Sequence, residues 1–263
     1  QSFRHSLPIV VWLLTLCATP SVLFAQSWHP LAFSPTQGVI DTIAREPAKP
    51  ENLLAGADGR IYRSFDNGKS WKEIASFGQT IVINDIYFHA NQIYALTSDG
   101  VWAAPADANK WKKIFGGFGP KEQNAIRMIT DPSNEAIFYL ATEGGLFKSI
   151  NDGETWRKES NELARQAIRD IKADPDKNEI FVVGVKGVYR IIPRRDQIDR
   201  VYTSKTSFQL NEDLNDSDLN ENEIEPIIRR DEVFSVWLTP SDESDIAIAT
   251  TEGILTSDDE GNH

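Results

Sequence analysis

Cysteine and histidine are scarce in this chain, and their scarcity excludes several kinds of site. Of its 263 residues, one is a cysteine, Cys17, and four are histidines. A disulfide framework needs paired cysteines, so the chain does not belong to the disulfide-stapled scaffolds. It also contains no His-Glu-x-x-His motif, no Gly-x-Ser-x-Gly motif and no phosphate-binding loop. We therefore predict no cofactor, no metal site and no catalytic residue.

Positive charge is also scarce. The chain has 27 Lys and Arg residues against 39 Asp and Glu residues, which gives a net charge of −12. Proteins that bind nucleic acid need a basic surface, and basic segments are what anionic membranes attract. Neither a nucleic-acid partner nor an anionic membrane surface is therefore expected.

Long apolar runs are confined to the N-terminus. Arg4 and His5 precede an apolar stretch from Leu7 to Leu16, and a small residue, Ala25, follows. This order is typical of a secretory signal peptide, and the stretch is too short for a membrane span. We predict a signal peptide at residues 1–25, an exported mature chain in the periplasm or outside the cell, and no integral membrane span in it. A lipid anchor at Cys17 is disfavoured, because the preceding residue is not small.

A short phrase recurs three times. Its copies are Ser64–Trp71, Ser149–Trp156 and Ser257–His263, the last ending just before the Trp position. A carboxylate or amide at its third position can accept hydrogen bonds from turn amides. The glycine allows a positive φ, and the Trp supplies a large apolar side chain whose N–H needs a partner. The phrase therefore predicts a structural hairpin, not a catalytic site.

The pattern Ser-x-Asp-x-Gly-x-x-Trp resembles the Asp-box, or BNR, hairpin. The resemblance implies a β-propeller with these hairpins on the face opposite the ligand. The structural box residues are Ser64, Asp66, Gly68, Trp71, Ser149, Asn151, Gly153, Trp156, Ser257, Asp259 and Gly261.

The boxes belong to a longer repeat. Five turn glycines, at positions 59, 100, 145, 187 and 253, are spaced by 41, 45, 42 and 66 residues. A period of roughly 40–50 residues is typical of a four-stranded propeller blade. Short apolar runs bounded by Gly, Pro, Asn or Asp supply the strands of each unit. We predict an all-β fold, a β-propeller of WD40/YVTN-like four-stranded blades with five units visible, and one helical turn near residues 160–168.

The unit count allows two interpretations of the propeller domain at residues 26–263. Because most Asp-box propellers have six, seven or more blades, the main expectation is a domain that is incomplete at its C-terminus. Alternatively, Trp28-His-Pro-Leu31 resembles the outer-strand phrase Trp71-Lys-Glu-Ile74 and would supply the outermost strand of the last blade. Such a strand closes the ring and hides a sheet edge.

An insertion at residues 193–232 accounts for the 66-residue spacing. It contains an acidic, Asn-rich stretch at 211–223, which lacks the Gly and closing Glu of an EF-hand loop and is interpreted as a solvated loop. Residues 201–204 are predicted to form an outer strand before it.

Four of the five glycine turns carry an acidic residue, and the fifth carries Lys186. The acids, which form the candidate ligand face, are Asp58, Asp99, Glu143 and Glu252. Acids beside glycine are ordinary turn chemistry. The alternative hypothesis is an acidic mouth that binds a cation, or a cationic or hydroxylated ligand.

The chain resembles photosystem II assembly/stability-factor-like and sortilin-type propeller proteins. It implies an exported, non-catalytic scaffold that binds a protein or a carbohydrate. One alternative is a glycoside hydrolase of the sialidase or xyloglucanase type, which needs two carboxylates about 5–10 Å apart; no such pair stands out. Arg190 lies in a near-match to the sialidase Phe-Arg-Ile-Pro motif that is wrong by one residue, and is interpreted as a strand residue. The other alternative is the extracellular sensor portion of a larger signalling protein.

Overall fold

Antiparallel strands make up most of the described chain. The computed structural model describes residues 39–108, 110–209, 227–238 and 246–259, all within one unit that spans residues 32–263. Each of the first four sheets has four strands in chain order, so within a sheet every strand after the first pairs with the strand that precedes it. This confirms the predicted repeat of four-stranded units.

The strand bounds follow the predicted runs closely. The first two sheets consist of β1 (Ile40–Arg45), β2 (Leu53–Ala57), β3 (Arg60–Ser64), β4 (Lys72–Ser76), β5 (Ile83–His89), β6 (Gln92–Thr97), β7 (Gly100–Pro105) and β8 (Lys112–Phe115). The next two consist of β9 (Ala125–Asp131), β10 (Asn134–Thr142), β11 (Gly145–Ser149), β12 (Arg157–Lys158), β13 (Ile168–Asp174), β14 (Glu179–Gly184), β15 (Gly187–Ile192) and β16 (Gln197–Thr203).

The fifth sheet has three strands among the described residues. A separate hairpin, β17 (Thr206–Gln209) with β18 (Ile227–Arg230), lies in the insertion, and the fifth sheet follows as β19 (Val233–Leu238), β20 (Ile246–Thr250) and β21 (Gly253–Ser257). The predicted outer strand at 201–204 is confirmed as β16, although it begins earlier, at Gln197.

Helical segments are short. The turn predicted near residues 160–168 is confirmed as a 3-10 helix at Glu162–Arg165, which Asn161 caps by accepting a hydrogen bond from the Leu163 amide. Helix α1 (Pro120–Gln123) and a second 3-10 helix at Pro193–Arg195 were not predicted. No helix in the described ranges is long and apolar enough to cross a membrane.

The first strand of each sheet lies against the first strand of the next. Contacts join β1 to β5, β5 to β9, β9 to β13 and β13 to β19. The second strands β2, β6 and β14 are buried along almost their whole length, because neighbouring sheets cover both of their faces. The core consists of apolar layers between successive sheets; in one layer, Leu146 and Leu163 pack with Ile180.

The first box hairpin has the geometry that its sequence predicts. Ser64 Oγ accepts from the Gly68 amide at 2.8 Å, and Asp66 accepts from the Ser70 amide at 2.9 Å. Gly68 has a φ of 85°, and Trp71 Nε1 donates to the Gly68 carbonyl at 2.9 Å. The box side chains therefore form hydrogen bonds with backbone groups of their own turn.

The second hairpin has the same bonds with an amide in place of the carboxylate. Asn151 Oδ1 accepts from the Thr155 amide at 3.0 Å, and Trp156 Nε1 donates to the Gly153 carbonyl at 3.0 Å. In the third copy, Ser257 Oγ donates to Asp259 at 2.6 Å. Gly261, the predicted signal peptide at residues 1–25, residues 28–31 and the stretch 211–223 lie outside the described residues.

Candidate functional site

Each four-stranded sheet has two different ends. The turns between second and third strands, and the connectors that lead to the next sheet, lie at one end; the remaining turns, including the boxes, lie at the other. We call the first end the glycine-turn face, formed by the turns at 58–59, 98–99, 143–144, 185–186 and 251–252 and the connectors at 77–82, 116–124, 159–167 and 204–205. The second end is the box face.

Backbone hydrogen bonds join each glycine turn to a connector. The Phe77 amide donates to the Gly59 carbonyl at 2.8 Å, and the Ser204 amide donates to the Lys186 carbonyl at 3.1 Å. Gly187 shows why glycine is needed: its φ is +144°, and a Cβ there would lie 1.9 Å from the Tyr202 carbonyl oxygen. The turns are therefore held in place on this face by the connectors.

The four predicted acids lie in these turns, each on a different sheet. Asp58 and Asp99 are half-buried, whereas Glu143 and Glu252 are exposed. Asp99 forms an ion pair with Lys113 at 2.9 Å, so part of its charge is already compensated. In the described ranges, no group of three or more His, Cys, Asp or Glu residues is arranged to hold a metal ion. The acids share a face without forming one cluster.

A cavity of about 430 Å³ opens on the glycine-turn face at the fourth sheet. It is lined by Arg165, Gln166, Val185, Lys186, Arg200, Thr203 and Ser204. These residues come from the connector before β13, from the turn between β14 and β15, and from the end of β16. The lining contains three cationic side chains and no carboxylate, in a protein whose net charge is −12.

The cations of this cavity differ in their partners. Arg200 forms an ion pair with Glu162 and lies over the Tyr189 ring, 5.4 Å from its centroid. The hydrogen bond that Arg200 donates to the Glu162 carboxylate raises the pKa of Arg200, so this guanidinium stays charged. Arg165 and Lys186 are exposed, and neither has an ion-pair partner among the described residues. Two uncompensated positive charges therefore face the cavity.

A buried amide holds the cavity wall in shape. Gln166 is 7% exposed; its Oε1 accepts from the Lys186 amide at 2.9 Å, and its Nε2 donates to the Tyr189 hydroxyl at 3.1 Å. Burial raises the pKa of Tyr189, which keeps the phenol neutral. Ser204 Oγ is buried and has no hydrogen-bond partner in the part of the chain that the structure describes. Gln166 thus joins the turn at Lys186 to Tyr189, and the wall contains one hydroxyl without a hydrogen-bond partner among the described residues.

Other charged residues serve the packing between sheets. Arg127 donates from Nη1 to Asp170 at 2.8 Å and lies 3.5 Å from Asp85. Asp170 is 3% exposed and also accepts from the Val236 amide at 3.3 Å. Burial raises the pKa of Asp85, while the Arg127 charge opposes that rise. These groups join the first strands of three consecutive sheets, so we assign them a structural role. Arg190, in β15, is likewise a strand residue and pairs with Asp199 at 3.4 Å.

The sequence identified only part of this cavity. Lys186 stood out because each of the other four glycine turns carries an acid in its two-residue loop. Asp99 and Glu252 hold the same loop position as Lys186, and Asp58 and Glu143 hold the position before it. Arg165, Gln166, Arg200 and Ser204 belong to no motif and come together only through the folded connectors. The departure of one repeat from the others was the available signal.

Neither protein-family models nor curated protein sequences match this chain. Solved structures do match its fold. The GH74 xyloglucanase from Xanthomonas campestris matches with a TM-score of 0.62 and 13% identity over 85% of this chain and 37% of that one. The extracellular domain of the one component system BT4673 from B. thetaiotaomicron matches at 0.58 and 17% over 88% and 28%. YCF48 bound to D1 peptide matches at 0.55 and 17% over 88% and 68%.

These likenesses show the fold: the chain is a β-propeller of four-stranded blades, as predicted. The chain spans about a third of the xyloglucanase and BT4673 chains and about two thirds of YCF48. The matched proteins include an enzyme, the extracellular domain of a one component system and a peptide-bound protein, so this fold serves several functions. The assignment to the Asp-box family, and the likeness to sortilin-type propellers, stay predictions.

Proposed function

We propose that this chain is an exported, non-catalytic binding module whose glycine-turn face takes a carboxylate-bearing segment of a protein partner. The cavity at the fourth sheet carries this proposal, because its lining combines Arg165 and Lys186 with the Ser204 hydroxyl and no carboxylate. A carboxylate accepts hydrogen bonds from all three groups. YCF48, a structure of the same fold, is bound to a peptide, which supports a polypeptide as the ligand over a carbohydrate.

Binding suits this cavity better than sugar hydrolysis. A glycosidase places two carboxylates on either side of the scissile bond, one as an acid and one as a nucleophile or base. No Asp or Glu lines this cavity, and Glu162, at its edge, is paired with Arg200. The xyloglucanase likeness is therefore interpreted as a shared fold, and the sensor alternative is compatible with a binding module.

The acidic turns complete the proposed surface. Glu143 and Glu252 are exposed on the same face, on the sheets before and after the cavity. They would repel a uniformly acidic segment and attract one that carries basic residues beside its carboxylate. The preferred partner segment therefore has a carboxylate for the cavity and Lys or Arg on either side of it.

Peptide binding tests the proposal directly. Two pairs of fluorescein-labelled decapeptides are titrated with the purified chain. The first pair carries Glu or Gln between lysines, and the second pair carries a free or an amidated C-terminus. We expect the carboxylate peptides to bind and the neutral ones to bind at least tenfold more weakly. Arg165→Gln with Lys186→Gln should remove that difference, since each charge-assisted hydrogen bond contributes about 1.5–3 kcal/mol. The Glu and C-terminal peptides distinguish the two sources of carboxylate.

Two controls define the result. Arg194→Gln with Arg195→Gln removes the same charge near the box face and should leave peptide affinity unchanged. Neutralising the four turn acids (Asp58→Asn, Asp99→Asn, Glu143→Gln, Glu252→Gln) should weaken only the lysine-flanked peptides. Equal affinity for the Glu and Gln peptides, together with equal affinity for the free and amidated C-termini, would reject the carboxylate site. Release of reducing sugar from xyloglucan would reject the non-catalytic assignment.

A further inference from the structure

An aromatic ring lies in water on the glycine-turn face. Phe118, in the connector at 116–124 between the second and third sheets, is 91% exposed, more than any other large apolar side chain that the structure describes. Three residues earlier, Phe115 is buried and packs against Phe147 and Trp156. The core between these sheets is therefore built without the Phe118 ring, and the ring is left available to a binding partner.

The loop that carries this ring is fixed by specific contacts. The Phe118 amide donates to Glu122 Oε2 at 2.8 Å, and Glu122 Oε1 accepts from Lys158 Nζ at 2.6 Å. Gly117 has a φ of +60°, and a Cβ there would lie 2.8 Å from the Glu122 carbonyl carbon. The loop is thus folded back onto α1 and tied to β12. An aromatic side chain on a fixed loop can bind a partner at a lower entropic cost than one on a mobile loop.

The same connector adjoins the acidic turn of the third sheet. Asn124 Nδ2 donates to Glu143 Oε2 at 3.3 Å, and the Glu143 amide donates to the Asn124 carbonyl at 3.2 Å. Gly144 packs closely on α1, since a Cβ there would lie 2.6 Å from Glu122 Cγ. The next connector, at 159–167, carries Arg165 into the cavity of the fourth sheet. The glycine-turn face therefore presents, in order, an exposed ring, an exposed carboxylate and a cationic cavity.

One extended segment can reach both the ring and the cavity. Packed sheets lie about 10 Å apart, and an extended chain rises about 3.3 Å per residue. The connector at 116–124 leads into the third sheet, and the cavity opens at the fourth. The separation is therefore roughly one to two sheet spacings, which three to six extended residues span.

We infer that Phe118 is a second contact for the partner segment, which carries an aliphatic or aromatic side chain roughly three to six residues from its carboxylate. Aromatic side chains are enriched where protein interfaces gain most of their affinity. A second copy of this chain fits the ring poorly, because the face carries four acidic turns in a protein of net charge −12 and like charges would meet. This inference rests on the proposed function, since the cavity sets where the segment lies.

A peptide series tests the contact on the purified chain. Fluorescein-labelled tridecapeptides carry a central Glu between lysines, Ser elsewhere, and one Leu placed three, four, five or six residues before or after the Glu. A parent peptide has Ser in place of the Leu, and each peptide has a Gln counterpart. At least one Leu peptide should bind about tenfold more tightly than the parent, because its side chain is buried against a fixed ring.

Variants of the chain assign that gain to one residue. Phe118→Ala should remove the gain from Leu and keep the preference for Glu over Gln, whereas Phe118→Tyr should keep both. Phe65→Ala is the matched control, because Phe65 is 59% exposed in the first box hairpin, on the opposite face. It should leave both effects unchanged. The exposure of Phe118 means that its replacement leaves the fold intact, which unchanged urea midpoints would check.

The outcomes separate this inference from the proposed function. A preference for Glu with no gain from any Leu, or a gain that survives Phe118→Ala, would overturn the inference and leave the carboxylate site standing. A gain that depends on Phe118 with equal binding of Glu and Gln peptides would uphold the ring contact and reject the carboxylate site. Self-association in sedimentation velocity, or binding of xyloglucan oligosaccharides, that Phe118→Ala abolishes would assign the ring to a second copy or to a sugar, and either result would overturn the inference.

Discussion

Replacing Trp156 with Ala should destabilise the third sheet strongly, and the structure gives the magnitude. A buried Trp→Ala change costs about 3–5 kcal/mol. Trp156 is only half-buried, so we take about 2–3 kcal/mol for the lost apolar contact. Its two aromatic contacts, with Phe115 and Phe138, add about 0.5–1.5 kcal/mol together. The expected loss is about 3 kcal/mol.

Trp156→Phe separates packing from hydrogen bonding. Phe retains a ring between Phe115 and Phe138 but loses the donor to the Gly153 carbonyl. That single bond contributes about 1 kcal/mol. The conservative variant is therefore expected to lose about a third as much stability as the alanine variant.

Urea unfolding followed by far-ultraviolet circular dichroism measures these differences, with each variant compared at the midpoint and slope. Phe118→Ala is the matched control, because Phe118 is 91% exposed in a connector; we expect a change within about 0.5 kcal/mol. If Trp156→Ala lost no more stability than Phe118→Ala, the box Trp would not hold adjacent sheets together.

Three further predictions follow from single contacts. The hydrogen bond from the Ser70 hydroxyl is the main cause that lowers the pKa of Asp66 to about 2. The stabilising effect of the ionised Asp66 is therefore present above about pH 4 and is lost as pH falls towards 2. In thermal melts, the melting temperature of Asp66→Asn should fall less between pH 4 and pH 2 than that of the unchanged chain. Burial raises the pKa of Asp85, so stability is lost as pH rises through the folded-state pKa and Asp85 becomes ionised. Asp85→Asn should therefore raise the melting temperature at pH 7 more than at pH 3. An equal change at both pH values would contradict the burial argument. Gly187→Ala should cost on the order of 3 kcal/mol in urea titrations, because its Cβ would strike a backbone oxygen. Gly119→Ala, with nothing within 4 Å of the added carbon, should be near neutral.

The fold could be predicted because its signals are local and repeated. The glycine turn, the box and the apolar second strand recur at nearly constant spacing, and each has one physical solution. Gly68 needs a positive φ and Ser64 closes the turn beside it, so the hairpin follows from a few neighbouring residues. Helix α1 was missed because four residues carry too little periodicity to be recognised.

The cavity could not be predicted because it depends on contacts between distant segments. Arg165 and Arg200 are ordinary surface arginines in the sequence, and 35 residues separate them. Folding brings them together because the connector before β13 and the end of β16 lie at the same end of the fourth sheet. No local pattern marks Ser204, whose importance comes from a buried hydroxyl with no partner among the described residues.

Shared and unshared positions of the repeat therefore carry different information. A position that every unit shares, such as the turn glycine, is fixed by what a blade needs in order to fold, and it reports nothing about a ligand. A position where one unit departs is released from that requirement. Lys186 is such a departure: its two-residue loop precedes a positive-φ glycine, as do the loops before Gly100, Gly145 and Gly253, but it carries the opposite charge. Because the fold does not need a lysine there, the most direct reason for the charge is what approaches the face from outside. In a repeat protein with no recognisable catalytic or metal-binding motif, the turn whose charge differs from that of the corresponding turns is thus the first place to test for binding.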